Sequence, residues 1–128
     1  MAVYFISEGG NGYIKIGKGS GASRAKAMQT GTPWKLTVLK EIYGSYGEEN
    51  ILHKLFFRER LSTGREWFRP SEALIKFINM DDEKIYNTIH NVKVAMSKDK
   101  NVKFTLKFEG ETNEEVEERR KANLKYEY

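Results

Sequence analysis

Residues 3–17 read V-Y-F-I-S-E-G-G-N-G-Y-I-K-I-G, and this stretch has the pattern of a β-hairpin. Its two ends, residues 3–7 and 13–17, are rich in the β-branched and aromatic side chains that favour strands. Several glycines lie between them, and glycine adopts the positive φ angles that tight turns require. The stretch therefore predicts two antiparallel strands joined by a glycine-rich turn.

Two further elements are expected directly after the hairpin. A short helix is predicted over residues 22–29, with Ser20 or Ser23 as its N-cap, because serine side chains accept hydrogen bonds from the free N–H groups of a first helical turn. Residues 36–43, L-T-V-L-K-E-I-Y, then predict a third strand.

A long amphipathic helix is predicted over residues 45–60, S-Y-G-E-E-N-I-L-H-K-L-F-F-R-E-R. Ser45 and Glu48 have the spacing of a capping box, in which each side chain bonds the other's backbone N–H. The neighbouring Glu49 has no role in this capping box, so its carboxylate is available for another interaction. On a period of 3.6 residues one arc of this helix is apolar and consists of Ile51, Leu52, Leu55 and Phe56.

Three polar residues follow one edge of that apolar arc: Glu49, His53 and Arg60. The carboxylate of Glu49 and the imidazole of His53, at positions i and i+4, project from one helix face with Cβ atoms about 5–6 Å apart. At the boundary between core and solvent such a pair suits a metal ion or a bound water. We therefore expect this helix to form one wall of an active site.

The second half of the chain is predicted to end the domain and to extend it. Ser71 has the position of an N-cap for a short apolar helix that ends near residue 80. Beyond a core at residues 1–80, residues 81–128 are predicted to form an extension. Its elements are a helix at 82–96, a strand at 102–108 and a polar helix that begins with a capping box of Thr112 and Glu115.

Composition narrows the possible functions. The chain has no cysteine, which excludes disulfides, thiolate metal sites and cysteine nucleophiles. The N-terminus lacks the pattern of a signal peptide and no stretch suits a membrane span, so we expect an intracellular protein without a membrane partner. Residues 1–70 carry 11 Lys and Arg against 6 Asp and Glu, whereas residues 71–128 carry 11 against 12. A polyanion would therefore bind the first half.

Six short motifs stand in order over residues 2–70. They are V-Y-F-I at 3–6, I-K-I-G at 14–17, Arg24, Q-T-G-T-P at 29–33, E-N-I-L-H at 49–53 and E-W-F at 66–68. This pattern resembles the GIY-YIG nuclease superfamily, and most closely a branch common in phages and large viruses. For a viral protein, the expected location is the cytoplasm of the host cell.

The resemblance implies an α+β fold with a small three-stranded antiparallel sheet flanked by helices, and metal-dependent hydrolysis of DNA. In that family the helix glutamate, here Glu49, is the protein ligand of one divalent cation, Mg²⁺ or Mn²⁺. The arginine, here Arg24, contacts the scissile phosphate, and the first-motif tyrosine, here Tyr4, positions or deprotonates the attacking water. The second-motif tyrosine is Lys15 in this chain, which is a departure from the family.

Independent chemistry agrees with these assignments. A guanidinium binds phosphate in a bidentate manner, and a helix N-terminus near Arg24 adds backbone N–H donors. A histidine one turn from the expected metal ligand, His53, is a side chain that can accept a proton from water near neutral pH. The expected contacts to the nucleic-acid backbone, with DNA or with RNA, are Lys18, Arg24, Lys26 and Arg60.

Two other interpretations are open. The same fold can bind nucleic acid without cutting it, if the change to Lys15 abolishes catalysis. Alternatively, the C-terminal extension is an arm for a partner or for a homodimer, and the core is its scaffold. Glu66 also has two interpretations: a surface partner of Arg65 or Arg69, or a second acidic ligand.

Overall fold

The computed structural model describes residues 2–44, 46–62 and 66–98, together with residues 112 and 114. It is an α+β fold, as predicted. Its strands are β1 (Ala2–Glu8), β2 (Ile14–Lys18), β3 (Leu36–Tyr43) and β4 (Trp67–Phe68). Its helices are α1 (Gly21–Gln29), α2 (Tyr46–Leu55), α3 (Glu72–Ile78) and α4 (Asp82–Lys98).

The four strands form one antiparallel sheet in the order β3-β1-β2-β4. The prediction of three strands was therefore wrong by one. The additional strand, β4, has two residues, which pair with Ile14 and Lys15 of β2. Two residues are too few for an alternating pattern to be visible in a sequence.

The predicted hairpin is confirmed, and its turn is held by a side chain as well as by glycine. Both carboxylate oxygens of Glu8 accept hydrogen bonds from the turn, from the backbone N–H groups of Gly10, Asn11 and Tyr13 at 3.1, 2.7 and 2.9 Å. Gly12 has φ +74°, a left-handed conformation that favours glycine.

One face of the sheet contributes to the hydrophobic core. Val3, Phe5 and Ile16 point from this face into a cluster with side chains of α2, α3 and α4. Phe77 of α3 lies at the centre of its aromatic part, with ring centroids 6.3 Å from Phe5 and 5.2 Å from Phe56. Burial of these apolar surfaces is the main stabilising contribution to the fold.

The opposite face of the sheet is covered by α1, which contacts β1 and β3. Side chains alternate along a strand, so Tyr4 and Ile6 point to this face; both are buried but lie outside the main core cluster. α1 begins at Gly21, and its N-cap is Ser20, which is one of the two residues predicted for this position. A Cβ at Gly21 would lie 3.2 Å from Cβ of Tyr4, so the helix starts directly against this face.

The helix predicted over residues 45–60 is shorter than expected. α2 ends at Leu55, a single 3₁₀ turn follows at Phe57–Glu59, and Arg60 is extended. The reason is pairing with the segment around β4: the N–H of Leu61 donates to the carbonyl of Trp67 at 2.8 Å, and Arg60 bridges Phe68. Arg60 therefore does not share a helix face with Glu49 and His53, which corrects that prediction.

α3 begins after Ser71, whose hydroxyl accepts from the N–H of Leu74 at 3.1 Å, as predicted. α4 contributes Ile85, Ile89 and Val92 to the same hydrophobic cluster as the sheet. The strand predicted at 102–108 and most of the last predicted helix lie outside the described residues, and the division after residue 80 stays a prediction. In the part of the chain that the structure describes, no helix is long and apolar enough to span a membrane.

Candidate active site

Tyr4 lies at the centre of the α1 side of the sheet. It pairs with Glu41 of β3 on one side and Gly17 of β2 on the other, so these three residues form a row across the sheet. The phenol ring lies directly over Gly17: an added Cβ there would overlap the hydroxyl oxygen and Cζ of Tyr4. A glycine in the second motif is therefore a steric requirement for the position of this phenol.

The electrostatic environment of Tyr4 identifies its neighbours. Burial is the largest cause that raises its pKa above the ordinary value; the negative charges of Glu66 and Glu49 raise the pKa further, and the positive charge of Arg24 lowers it. Charges shift a pKa in this way when they lie within a short distance of the group. The charges of the guanidinium and of the Glu49 carboxylate, which come from two other motifs, therefore both act on the phenol.

Arg24 extends from the first turns of α1. Its backbone N–H donates to the carbonyl of Ser20 at 2.9 Å, and its side chain is exposed. The guanidinium lies against Gly19, where a Cβ would be 3.3 Å from Nε, and Gly19 has φ +123°. Glycine at this position thus provides both the turn from β2 into α1 and the space for the arginine.

Glu49 and His53 are adjacent on α2, as predicted. Nε2 of His53 is 3.7 Å from Oε1 of Glu49 and 2.8 Å from the carbonyl oxygen of Ile16 in β2. A carbonyl only accepts hydrogen bonds, so Nε2 is the donor and carries a proton. The ring also packs edge-on against Phe68 of β4, with centroids 5.2 Å apart. The nitrogen that faces Glu49 is therefore already protonated, and this geometry suits a residue that positions α2 against β2.

Lys15 has two partners within the site. Its ammonium is 3.3 Å from Oε2 of Glu66 and donates to the sulfur of Met28 in α1 at 3.6 Å. The pairing of Lys15 with Glu66 was not among the two interpretations of that glutamate, because it depends on the register between β2 and β4. Glu66 is 49% exposed, so the ion pair is open to solvent and to an incoming anion.

A single divalent cation at Glu49 fits the donor atoms present. Within residues 2–44, 46–62 and 66–98 no three His, Cys, Asp or Glu side chains lie close enough together to hold a metal. Glu49 is a single, 12% exposed carboxylate. Mg²⁺ binds in this way, through one or two carboxylates with several retained waters, whereas calcium and structural zinc require more protein ligands.

The other predicted contacts to nucleic acid are distributed over several elements. Lys18 lies at the end of β2 and is half-buried, and Lys26 is exposed on α1. Because Lys26 is two positions from Arg24, the two side chains leave the helix in different directions. Arg60 lies in the extended segment beside β4. Of the four predicted residues, Arg24 is the one whose charge acts on Tyr4.

Glu41 belongs to the site but was absent from the predictions. Its Oε1 accepts from the N–H of Gly21, the first residue of α1, at 2.6 Å, and it pairs across the sheet with Tyr4. A carboxylate is favoured at a helix N-terminus, where N–H groups are free. The alternation of side chains along β3 predicts that Glu41 and Ile42 point to opposite faces of the sheet. It does not predict the contact of Glu41 with Gly21, because that residue is 20 positions away in the sequence.

In the comparisons with known proteins, no family model, curated protein or solved structure matches the chain.

Proposed function

We propose that this protein is a metal-dependent endonuclease of the GIY-YIG type that hydrolyses phosphodiester bonds of DNA. The observation that supports the proposal most strongly is the convergence on Tyr4: the pKa of its phenol responds to Arg24 of α1 and to Glu49 of α2. A phenol, a guanidinium and a carboxylate are the groups that phosphodiester hydrolysis needs for water, phosphate and cation.

The proposed roles follow from the charge and exposure of each group. Arg24 is exposed and binds two oxygens of the scissile phosphate at once, which a lysine cannot do. The raised pKa of Tyr4 keeps its phenol neutral near pH 7, so the phenol orients the attacking water through hydrogen bonds. Glu49 would hold one Mg²⁺ or Mn²⁺. When bound, such a cation lowers the pKa of a coordinated water and neutralises negative charge on the phosphate.

His53 and Lys15 have supporting roles in this proposal. His53 positions α2 through its hydrogen bond to Ile16 and so fixes the carboxylate of Glu49 beside β2. Lys15 exchanges Glu66 for a phosphate oxygen when the substrate binds, because an ion pair that is open to solvent contributes only about 0–1 kcal/mol. Its role is thus to bind phosphate in place of the family's second tyrosine.

The test is nicking of supercoiled plasmid with Mg²⁺ or Mn²⁺. The variant Glu49→Gln keeps the size of the side chain but removes its charge, and we expect metal-dependent nicking to fall at least about 100-fold, since a second-shell change alone costs 10–100-fold. The matched control is Glu48→Gln on the same turn of α2. Glu48 makes an exposed ion pair with Lys93 at 3.4 Å, and its loss leaves nicking unchanged.

One outcome would refute the proposal: equal nicking by the wild-type chain and by Glu49→Gln, because the cut would then come from a contaminant or from another site.

A second candidate, binding of nucleic acid without cleavage, is favoured by the ion pair of Lys15 with Glu66 at a position where the family has a tyrosine. It predicts a salt-dependent shift of plasmid or oligonucleotide mobility and no nicking with either metal. Arg24→Gln would weaken this binding, whereas Glu49→Gln would leave it equal or tighter, since it removes a negative charge near the phosphate.

A further inference from the structure

A cavity of about 480 Å³ lies beside the proposed active site, on the α1 side of the sheet. Its walls come from the hairpin, the end of α1, the start of β3 and the β4 segment. Most of the lining is apolar or aromatic: Tyr13, Met28, Leu36, Leu61 and Trp67. This volume is within the range of about 300–1,000 Å³ that is usual for small-ligand sites.

The cavity and the proposed active site share a wall. Lys15 lines the cavity, and it pairs directly with Trp67 across the β2–β4 register, so the two side chains lie on one face. The ammonium of Lys15 contacts Glu66, which is next to Trp67 in sequence and whose charge acts on Tyr4. Met28, which also lines the cavity, follows Arg24 by one turn of α1, so the two side chains share a helix face. A group in the cavity would therefore lie about one helical turn from a phosphate bound at Arg24.

The chemistry of the lining favours a flat aromatic group over a second phosphate. The acidic residue of the wall, Glu8, has both carboxylate oxygens bonded to backbone N–H groups of the hairpin turn. An anion there would meet this carboxylate and an apolar surface, and the cation of the wall, Lys15, is paired with Glu66. A nucleobase instead stacks on indole or phenol rings, such as those of Trp67 and Tyr13.

We propose that this cavity binds one unpaired nucleobase beside the phosphodiester that is cut. The inference rests on the proposed function and defines its substrate class: DNA with a bulge, loop, flap or mismatch at the cleavage point. A base inside a regular duplex is stacked and paired, and its entry into the cavity would cost unstacking energy. An extrahelical base has already lost those interactions, so it binds the cavity at a lower cost.

Binding without cleavage separates this inference from the nuclease proposal. The wild-type chain is titrated in EDTA against two hairpin duplexes that differ at one position: one carries a single bulged 2-aminopurine, the other a bulged abasic sugar. We expect at least about fivefold tighter binding of the first duplex, the lower limit of base–aromatic stacking, and a change in 2-aminopurine fluorescence. Equal affinity for both duplexes, or no binding of either, overturns the inference.

Two pairs of variants assign the preference to the cavity. Trp67→Leu removes a stacking surface and Leu36→Trp fills the cavity from β3, so each reduces the preference for the base to less than twofold. The matched controls are Trp34→Leu and Leu39→Trp, which change exposed side chains of the same type outside the cavity and keep the preference. Circular dichroism and a thermal melt establish that each variant is folded; if Trp67→Leu is not, Leu36→Trp decides.

The outcomes for the two proposals are distinct. A base preference that depends on the cavity, without any metal-dependent nicking, supports the base site and refutes the nuclease. Nicking that is lost in Glu49→Gln, together with equal binding of base and abasic bulges, supports the nuclease and refutes the base site. A preference that survives both Trp67→Leu and Leu36→Trp also refutes the site, because the base would then bind elsewhere.

Discussion

The contact between Gly17 and Tyr4 tests whether the glycine of the second motif, I-K-I-G, is needed to place the tyrosine of the first motif, V-Y-F-I. Replacement of Gly17 by alanine would place a Cβ on the phenol, where it would overlap the hydroxyl oxygen and Cζ and lie 2.8 Å from Cε1. Tyr4 is almost completely buried on the α1 side of the sheet, so the ring has no open space into which to move. Either the ring leaves its position or the backbone of β2 shifts.

The expected cost follows from two opposing effects. Overpacking of a buried position destabilises by about 1–3 kcal/mol. Where no overlap exists, alanine is more stable than glycine within a strand by about 0.5–1 kcal/mol. In a Tyr4→Leu background the overlapping ring atoms are absent, so Gly17→Ala becomes stabilising by that second amount. The two backgrounds should therefore differ by about 1.5–4 kcal/mol.

The assay is urea denaturation of the wild type, both single variants and the double variant, with free energies of unfolding from linear extrapolation. Gly31→Ala is the control, because a Cβ there would meet only the carbonyl of Met28, at an ordinary 3.7 Å. We expect Gly31→Ala to change the stability by no more than about 0.5 kcal/mol. An equal effect of Gly17→Ala with and without the Tyr4 ring would refute the proposed contact.

Three further expectations concern the core and the titrating groups. Ile89→Ala should destabilise the fold by about 2–5 kcal/mol in urea, whereas Val94→Ala, at an exposed position of the same helix, should cost less than about 0.5 kcal/mol. Because the folded state raises the pKa of Tyr4, the neutral phenol stabilises the fold fully below about pH 10, and this contribution is lost as the pH rises through the folded pKa. Tyr4→Phe should therefore lose less stability than the wild type between pH 9 and pH 11, as measured by urea denaturation at both values. ¹⁵N NMR of the neutral His53 ring should find the proton on Nε2, where it donates to Ile16, and a proton on Nδ1 alone would contradict the geometry.

The regular elements could be predicted because each has a clear local pattern. The hairpin has two β-rich runs around glycines, and β3 was predicted with the bounds that the structure has, residues 36–43. Ser71 was predicted as an N-cap and Ser20 as one of two candidates, because a serine side chain can accept from the free N–H groups of the helix that follows it.

Features that depend on remote pairing were not predictable from local patterns. The end of α2 at Leu55 is set by hydrogen bonds between the segment after it and the β4 segment, and a periodic apolar arc does not contain that information. The partner of Lys15 follows from the register of β2 against β4. Glu41 of β3 accepts from the first N–H of α1, at Gly21, across a separation of 20 residues.

The resemblance and the residue pattern led to different parts of the site. Periodicity alone selected Glu49 and His53 as neighbours, and the structure has them adjacent. The motif order added Tyr4 and Arg24, which lie on other elements and which no helical or strand period connects. The effect of the Arg24 and Glu49 charges on the phenol of Tyr4 is the property on which the proposed chemistry depends.

That property can be measured directly as the pKa of Tyr4, by NMR of a chain labelled with ¹³C at the tyrosine Cζ. Arg24→Gln removes a positive charge and should raise the pKa, whereas Glu49→Gln removes a negative charge and should lower it. Glu48→Gln, on the adjacent residue of α2, serves as the control and should leave it unchanged. Opposite shifts in the two variants are the result that a shared site predicts; a pKa that does not respond to either substitution would contradict it.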